Sequence, residues 1–265
     1  MSAPSSLNRA DRDILSGIAR WRVWLMLGWH DIDQRYRRTT LGPLWFTLTT
    51  FIMVASLGFV FSKVLGNDMS TYVPFLAAGL TSWALISQIA IEAPTAFVTA
   101  ESIINATNLP FTVHVLRLLV RQLVIYFHNL LALVLLGIWY EWDVGYTTLL
   151  VIPGLLLVLL NGLWIALFMA TLGTRFRDLG PIVANALQVV FFVTPIVWQP
   201  GAIGGHRYIV DWNPVYHLIS VIRSPLLGEV PSALSYGVVL SMLLVGSLVS
   251  LYFFRRFRWR VTYWL

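Results

Sequence analysis

VGYTTLLVIPGLLLVLLNGLWIALFMATLGT, residues 144–174, contains no Asp, Glu, Lys or Arg. A helix of about 20 apolar residues crosses the ~30 Å hydrocarbon core of a bilayer, because its backbone polar groups pair within the helix. The whole chain of 265 residues is 58% hydrophobic and 11% charged, and its mean hydropathy is +0.75. These values differ from those of ordinary soluble domains, so the sequence predicts an all-α integral membrane protein.

Six charge-free runs are long enough to cross a bilayer. They cover residues 39–62, 69–91, 122–140, 144–174, 179–206 and 230–254. The third could begin near Thr112, which would place Arg117 and Arg121 one turn apart at its end, with side chains that reach toward the headgroups. We therefore expect six transmembrane helices.

The basic residues alternate between the two sides of this topology. One side carries four groups: the seven arginines of residues 1–38, Arg117 with Arg121, Arg175 with Arg177, and the four arginines of residues 255–260. The other side carries Lys63, Arg207 and Arg223. Cytoplasmic loops are enriched in Lys and Arg, so both termini are expected in the cytoplasm. Short basic clusters between apolar runs indicate membrane topology rather than nucleic-acid binding.

The segment before the first span has the pattern of a helix that lies on the membrane surface. Between Asp11 and Asp33, apolar residues recur at spacings of three, four or seven, and the apolar core 21–29 is too short to span. We expect residues 1–38 to form a cytoplasmic segment with an amphipathic interface helix, and residues 39–265 to form the transmembrane domain.

The junction between these two parts reads DIDQRYRRTTLGPLW, residues 31–45. Gly42-Pro43 turns the chain into the membrane. Arg35, Arg37 and Arg38 would hold this junction on lipid phosphates.

Residues 199–233 form a long segment on the outer side, between the fifth and sixth spans. It is rich in Pro and Gly but also apolar, and its pieces 203–210 and 215–224 are too short to span. We interpret these pieces as re-entrant or interfacial half-helices. An exterior loop that covers the bundle is the alternative.

The residue inventory argues against most catalytic chemistry. Cysteine is absent, and the five histidines have no metal-ligand spacing. No predicted span has an acidic residue near its centre, where an ion-coupled carrier needs one. The only lysine, Lys63, follows Ser62 rather than a glycine, so the chain has no phosphate-binding loop. An ATP-driven transporter would therefore need its ATPase in a separate subunit, and we expect no cofactor in this chain.

Residues 93–110, APTAFVTAESIINATNLP, could meet such a subunit. Prolines frame this segment, and apolar residues alternate with polar ones, as in one short helix parallel to the membrane. A solvated turn is the alternative.

Several motifs together resemble the membrane subunits of type-2 ABC exporters, in particular those for O-antigen, capsule or teichoic-acid polysaccharides. They are DIDQRYRRTTLGPLW, INATNLPF, TRFRDLGPIV, TPIVW and WNPVYHLISVIRSPLLG, and they follow the family's order from about residue 24 to about 228. The lead-in to the third span departs from the family pattern, because Ala106, Thr107, Asn108 and Leu109 are uncharged.

The resemblance implies a homodimeric pore that two cytoplasmic ATPase subunits drive, with ATP and Mg bound by the ATPase. It implies export of a lipid-linked polysaccharide across the bacterial cytoplasmic (inner) membrane. Arg35, Arg37 and Arg38 could then bind the pyrophosphate-linked headgroup of that substrate as it enters, as an alternative to lipid phosphates. The implied ATPase-coupling residues are Phe97, Glu101, Ile103, Asn105, Trp21 and Leu25. The implied outer gate comprises Trp212, Asn213, Pro214 and Arg223.

Aromatic faces stack on the apolar faces of sugar rings without fixing one register, so aromatic side chains suit a glycan channel. The candidates are Trp45, Phe46, Phe51, Trp83, Trp164, Phe168, Phe191 and Phe192. Three rival functions stay open: an exporter of a drug or small lipid, a passive channel, and a membrane-embedded glycosyl- or acyltransferase that uses His206 and His217 with Asp211 or Glu229.

Overall fold

The computed structural model describes residues 6–37, 39–66, 68–142 and 145–265. Within these ranges every regular element is helical, as the sequence predicts. Five helices there are long and apolar enough to cross a bilayer. These five are α3 (Leu44–Leu65), α4 (Met69–Glu92), α6 (Phe111–Trp139), α7 (Val151–Arg175) and α11 (Ala233–Trp264).

The remaining helices are shorter. They are α1 (Ser6–Ala19), α2 (Trp21–Tyr36), α5 (Glu101–Ala106), α8 (Leu179–Val193), α9 (Tyr208–Asp211) and α10 (Pro214–Leu226), with 3-10 turns at Ala93–Thr95, Tyr146–Leu150 and Pro200–His206. The third long helix begins at Phe111, which confirms the alternative start near Thr112.

Local sequence sets the ends of several helices. Gly42, with φ of 55°, precedes α3, and Gly66, with φ of 67°, ends it and donates its backbone N–H to Ser62 O. Asp68 begins α4 by accepting hydrogen bonds from the Ser70 backbone N–H and hydroxyl, at 3.2 and 2.7 Å. These bonds stabilise the ionised carboxylate and hold the pKa of Asp68 below its usual value.

The helix predicted over residues 179–206 is shorter in the structure, where α8 covers Leu179–Val193. Helix α8 ends at Val193, because Thr194 takes extended backbone angles before Pro195, as the residue before a proline commonly does. Its 15 residues reach about 22 Å at 1.5 Å per residue, less than the ~30 Å hydrocarbon core. The chain then bends toward the Pro200–His206 turn instead of continuing as one helix.

The single helix predicted over residues 11–33 is two helices, divided at Arg20, whose φ of −83° and ψ of 43° interrupt the helix. Helix α1 packs on α6 and α11, and α2 packs on α6. Two glycines permit this approach: a Cβ at Gly17 would lie 2.7 Å from Thr112 Cβ, and one at Gly28 would lie 2.8 Å from Val120 Cγ1. The N-terminal helices are therefore part of the packed bundle.

Residues 93–110 do not form the one helix that was expected. They form the Ala93–Thr95 turn, a further turn, and the six residues of α5. The first part follows α7 closely, since a Cβ at Gly173 would lie 2.0 Å from Pro94 O. This contact directs the chain along α7 and leaves only α5 as a projecting helix.

The piece 215–224 lies within helix α10, as expected, whereas 203–210 is helical only in a 3-10 turn and the four residues of α9. Helix α10 packs on α4, α7 and α11, and its residues 217–223 are buried. Helix α4 occupies the centre of the bundle, because residues 72–82 are buried on every side. By contrast, α8 has no buried residue, and α3 is the least buried of the five long helices.

Candidate functional site

One end of the bundle, which we call the arginine-rich end, gathers α1, α2, the end of α4, the start of α6 and the end of α11. Asp31 of α2 binds two arginines of α6 there. Its Oδ2 accepts from Arg117 Nε at 2.8 Å and from Arg121 Nη1 at 2.7 Å, and Arg117 Nη2 binds its Oδ1. Because the two arginines are four residues apart, they lie on the same face of α6.

Glu92, the last residue of α4, extends this network. Its carboxylate accepts hydrogen bonds from Arg121 Nη2 and from Gln122 Nε2, the latter at 2.8 Å. Arg35 Nη2 of α2 lies 3.9 Å from its other oxygen. Three helices, α2, α4 and α6, are thus joined by one chain of alternating charges.

Asp13 of α1 forms the second charged contact. Its side chain is fully buried and accepts from the backbone N–H groups of Phe111 and Thr112, at 3.1 and 3.0 Å, and from the Thr112 hydroxyl at 2.9 Å. It therefore satisfies free N–H groups at the start of α6, as a capping residue does. Arg258 of α11 donates to the same carboxylate, with its Nη2 at 2.7 Å.

Sequence reasoning placed Arg117 and Arg121 at this end but missed their acidic partners. No role was assigned to Asp13 from the sequence, and Asp31 was considered only as the first residue of the junction motif 31–45. The sequence did contain a signal for these contacts. The N-terminal segment carries two acidic residues, α6 carries a pair of arginines, and Gly17 and Gly28 permit the helices to pack closely.

The predicted coupling residues divide between interior and surface. Phe97 is completely buried and packs on Phe111 with 5.3 Å between ring centroids, so its ring faces the interior in this arrangement. Its role as a docking contact stays a prediction. Glu101 and Ile103 are partly exposed on α5, and Asn105 is exposed. On α2, Trp21 and Leu25 are both exposed.

Of the three predicted headgroup arginines, Arg35 and Arg37 are exposed at the end of α2. Arg38 lies outside the described residues.

Three of the predicted lining residues form one aromatic cluster between α4 and α8. The ring centroids of Trp83 and Phe191 are 5.6 Å apart, and those of Phe191 and Phe192 are 5.4 Å apart. Phe192 is 74% exposed. Trp45, at the start of α3, is also exposed.

The other candidates pack within the chain. Phe46 lies against Tyr36, with ring centroids 4.9 Å apart, and Phe168 lies against Phe253 at the same distance. Phe51 packs on the core.

Trp164 donates its indole N–H to Asn161 at 2.9 Å. A Cβ at Gly246 would lie 2.2 Å from the Trp164 ring, so this side chain joins α7 to α11.

At the opposite end, the predicted gate residues surround the start and end of α10. Asn213 caps α10 and donates its side-chain N–H to Thr194 Oγ1 at 2.9 Å. Trp212 and Pro214 beside it are exposed.

Arg223 is buried, donates to Pro195 O at 2.6 Å, and lies 4.4 Å from the Phe75 ring centroid. It therefore holds α10 against α4 and the bend after α8, whereas the sequence placed it in an exterior segment.

The histidines at this end do not assemble into catalytic machinery. His217 is buried between Ser235 Oγ and the backbone carbonyl of Asp211, so it does not contact the Asp211 carboxylate. His206 packs on Tyr208. Across the described ranges, no group of three His, Asp or Glu residues is arranged to hold a metal ion.

Comparison with known proteins supports the transporter interpretation. The O-antigen export system permease protein RfbA of Myxococcus xanthus is 25% identical over 195 residues, which cover 72% of this chain and 74% of the relative. A protein of the same name from Klebsiella pneumoniae is 23% identical over 235 residues, which cover 87% of this chain and 90% of the relative. The sequence profile of the ABC-2 type transporter family matches residues 22–227. With most of its length matched, and with apolar helices long enough to span a bilayer, the chain belongs to the ABC-2 type transporter family and is a multi-pass membrane protein.

Proposed function

We propose that this chain is the membrane-spanning subunit of an ATP-driven exporter of a lipid-linked polysaccharide of the O-antigen type, in the bacterial cytoplasmic membrane. The family match over residues 22–227 carries the proposal, and relatives named as O-antigen export permeases support the cargo. Two copies of the chain form the translocation path. Two copies of a separate ATPase subunit bind ATP and Mg and drive it.

The proposed topology has six crossings, with α8 as a short one that local thinning of the bilayer accommodates. The arginine-rich end faces the cytoplasm, as the positive-inside rule requires, and it contains both α1 and the end of α11. Residues 199–233 then lie on the outer side, where α9 and α10 form the re-entrant gate segment.

Helix α8, which has no buried residue, and α3, the least buried of the five long helices, support the proposed homodimer. Both carry large apolar side chains that no other described part of the chain covers, such as Ile52 and Phe59 on α3 and Val189 on α8. A second copy can bury these faces, and the dimer axis would then lie beside the aromatic cluster of Trp83, Phe191 and Phe192.

The ATPase contact is proposed at α5 and the exposed face of α2. Glu101, Ile103 and Asn105 project from a helix of six residues that only short turns connect to α4 and α6. Trp21 and Leu25 provide an apolar surface on α2. ATP-driven closure of the partner would push α5 and α2 together and rock the long helices.

Glycan conduction is proposed along the exposed aromatic side chains. Phe192 and Trp45 present free ring faces, and Trp83 and Phe191 extend the first of these inward. Sugar rings stack on such faces weakly and repeatedly, which permits a chain to slide. Arg35 and Arg37 lie where they can bind the phosphates of lipids at the junction of α2 and α3.

Co-purification tests the proposed assembly. The tagged chain is expressed with a candidate ABC ATPase from its own genome and isolated in mild detergent, and the expected result is co-elution of the two subunits in equal amounts. Ile103→Asp and Trp21→Asp should each reduce co-elution. The matched control is Ile209→Asp, which should leave co-elution unchanged because Ile209 is exposed on α9 at the opposite end. If the wild-type chain elutes without the ATPase, the proposed exporter has no energy source and the proposal fails.

The surface glycan of a strain that lacks this transporter tests the cargo. Expression of the chain with its ATPase should restore O-antigen at the cell surface. An ATPase variant that binds but does not hydrolyse ATP should not restore it. Restoration with the inactive ATPase would indicate a passive channel. Drug resistance without surface glycan would indicate the small-molecule exporter instead.

A further inference from the structure

A cavity of about 490 Å³ lies at the end of α6 that is opposite the arginine-rich end. Its walls are apolar side chains of α6, α10 and the turn after α6, among them Leu130, Val134, Ile138, Trp142 and Leu226. Val134 and Ile138 are 57% and 73% exposed, so the cavity opens at the side of the bundle. On a helix long and apolar enough to cross a bilayer, that side faces lipid.

The cavity is long and narrow. Leu130 and Ile138 are eight residues apart on α6, so the cavity extends for about 12 Å at 1.5 Å per residue. Its volume over that length corresponds to a mean width of about 7 Å, whereas a helix with its side chains is about 10–12 Å wide. A helix of a second copy or of a partner is therefore too wide to enter, but one acyl chain aligned with α6 can do so.

Glu141, which lines this cavity beyond the end of α6, has a backbone conformation that glutamate does not favour. Its φ of 50° is in the left-handed region, and no other non-glycine residue among those described has a positive φ. The next residue, Trp142, donates its backbone N–H to Gly137 O at 2.8 Å, which is the hydrogen bond of a Schellman motif. Glycine usually occupies the Glu141 position of that motif. A strained residue that keeps a carboxylate there suggests a function for the carboxylate.

The surroundings of Glu141 suit a cation at the depth of lipid headgroups. Glu141 is exposed, it forms no salt bridge with any residue that the structure describes, and neither Lys nor Arg lines the cavity. Trp139 and Tyr146, on either side of it in the sequence, are strongly exposed. Exposed Trp and Tyr at the end of a spanning helix are typical of the headgroup region. The apolar walls therefore lie at acyl-chain depth and the carboxylate at headgroup depth.

We propose that this cavity binds one acyl chain of a phospholipid whose headgroup is a primary amine, and that the ammonium donates hydrogen bonds to the Glu141 carboxylate. The ammonium of phosphatidylethanolamine has three N–H donors, as a lysine side chain has, whereas the trimethylated nitrogen of phosphatidylcholine has none. Phosphatidylglycerol has a net negative charge, which the carboxylate repels. Only the assignment of the site to the outer leaflet rests on the proposed topology, because binding itself needs neither the cargo nor the ATPase.

Native mass spectrometry of the purified full-length chain tests the proposal. The chain is mixed in mild detergent with equal amounts of phosphatidylethanolamine, phosphatidylcholine and phosphatidylglycerol that carry the same acyl chains. We expect the complex with one bound lipid to contain phosphatidylethanolamine about two- to fivefold more often than phosphatidylcholine, the preference that one exposed ion pair can give. Glu141→Gln should remove this preference.

Two further variants, each with a control, separate the headgroup contact from the acyl-chain contact. Glu229→Gln removes an equal charge from an exposed residue after α10 that does not line the cavity, so the preference should remain. Val134→Trp places a large ring in the cavity and should reduce the amount of lipid bound. Val245→Trp, at a similarly exposed position on α11 outside the cavity, should leave that amount unchanged.

Glu141→Gly distinguishes lipid binding from a structural role of the carboxylate. Glycine adopts the left-handed conformation without strain, so this variant should keep or raise Tm while the lipid preference is lost. The proposal is wrong if the wild-type chain binds phosphatidylethanolamine and phosphatidylcholine equally, a result that needs no variant to fold. It is also wrong if Glu229→Gln removes the preference, if Val245→Trp reduces binding as much as Val134→Trp, or if Glu141→Gly lowers Tm.

Discussion

Replacement of Asp13 by Asn tests the contact that joins α1, α6 and α11. The buried carboxylate accepts five hydrogen bonds, from Phe111, Thr112 and Arg258. An amide keeps the shape but replaces one acceptor oxygen with a donor. Either the N–H and hydroxyl of Thr112 then lose their partner at Oδ1, or the Phe111 N–H and the Arg258 guanidinium lose theirs at Oδ2. Breaking a buried charged pair costs about 3–5 kcal/mol. For a chain of this size that corresponds to a fall in Tm of roughly 6–20 °C.

Thermal unfolding of the purified chain, followed by the fluorescence of its 12 tryptophans, measures this change. Asp11→Asn is the matched control, because the Asp11 carboxylate pairs with Arg255 at 2.8 Å while both side chains are about one-third exposed. Such a pair contributes at most about 1 kcal/mol. Equal, small falls in Tm for the two variants would refute the conclusion that the buried Asp13 carboxylate holds α1, α6 and α11 together.

Three further substitutions examine other parts of the fold. Gly173→Ala places a Cβ 2.0 Å from the Pro94 carbonyl oxygen, and the backbone shift it forces should destabilise the chain by about 1–3 kcal/mol in thermal unfolding. Phe192→Ala removes an exposed ring and should reduce the amount of O-antigen at the cell surface while leaving Tm unchanged. Asn213→Ala removes the cap of α10 and its bond to Thr194, which should lower stability by about 0.5–2 kcal/mol.

Each of these has its own control. Gly180→Ala meets its nearest atom at 3.9 Å, so a loss of stability equal to that of Gly173→Ala would contradict the steric argument. Phe127→Ala removes an equally apolar exposed ring from α6, and an equal loss of export there would contradict a specific role for Phe192. Asn213→Asp keeps the capping oxygen and removes only the N–H donor, so its stability should fall between those of the wild type and Asn213→Ala.

The long helices could be predicted from the sequence because the length of an uncharged apolar run determines them. A run of uncharged apolar residues of sufficient length forms a helix in lipid whatever its neighbours are. The exception, α8, shows the limit of that argument. The run 179–206 has the right composition, but Thr194 and Pro195 set backbone angles that end the helix, and hydropathy does not measure backbone angles.

The charged contacts could not be predicted in the same way. Asp13 and Arg258 are separated by 245 residues, and Asp31 and Arg117 by 86, so no local pattern relates them. Surface helices and docked helices share the same amphipathic periodicity, since both bury one face. Only the small residues Gly17 and Gly28, each packed directly on α6, distinguish a helix that docks on protein from one that lies on lipid.

Acidic residues hold both ends of the segment between α4 and α6. Glu92 immediately precedes it and binds Arg121 of α6, and Asp13 binds the first N–H groups of α6 where the segment ends. A displacement of α5 must therefore either break these charged hydrogen bonds or carry the start of α6 with it. Breaking buried charged contacts costs several kcal/mol, whereas helices that move as one unit keep them. A force on α5, the proposed ATPase contact, would therefore reach α6, and through Asp31 and Asp13 also α2 and α1, by these charge pairs as well as by apolar contacts such as that of Phe97 with Phe111.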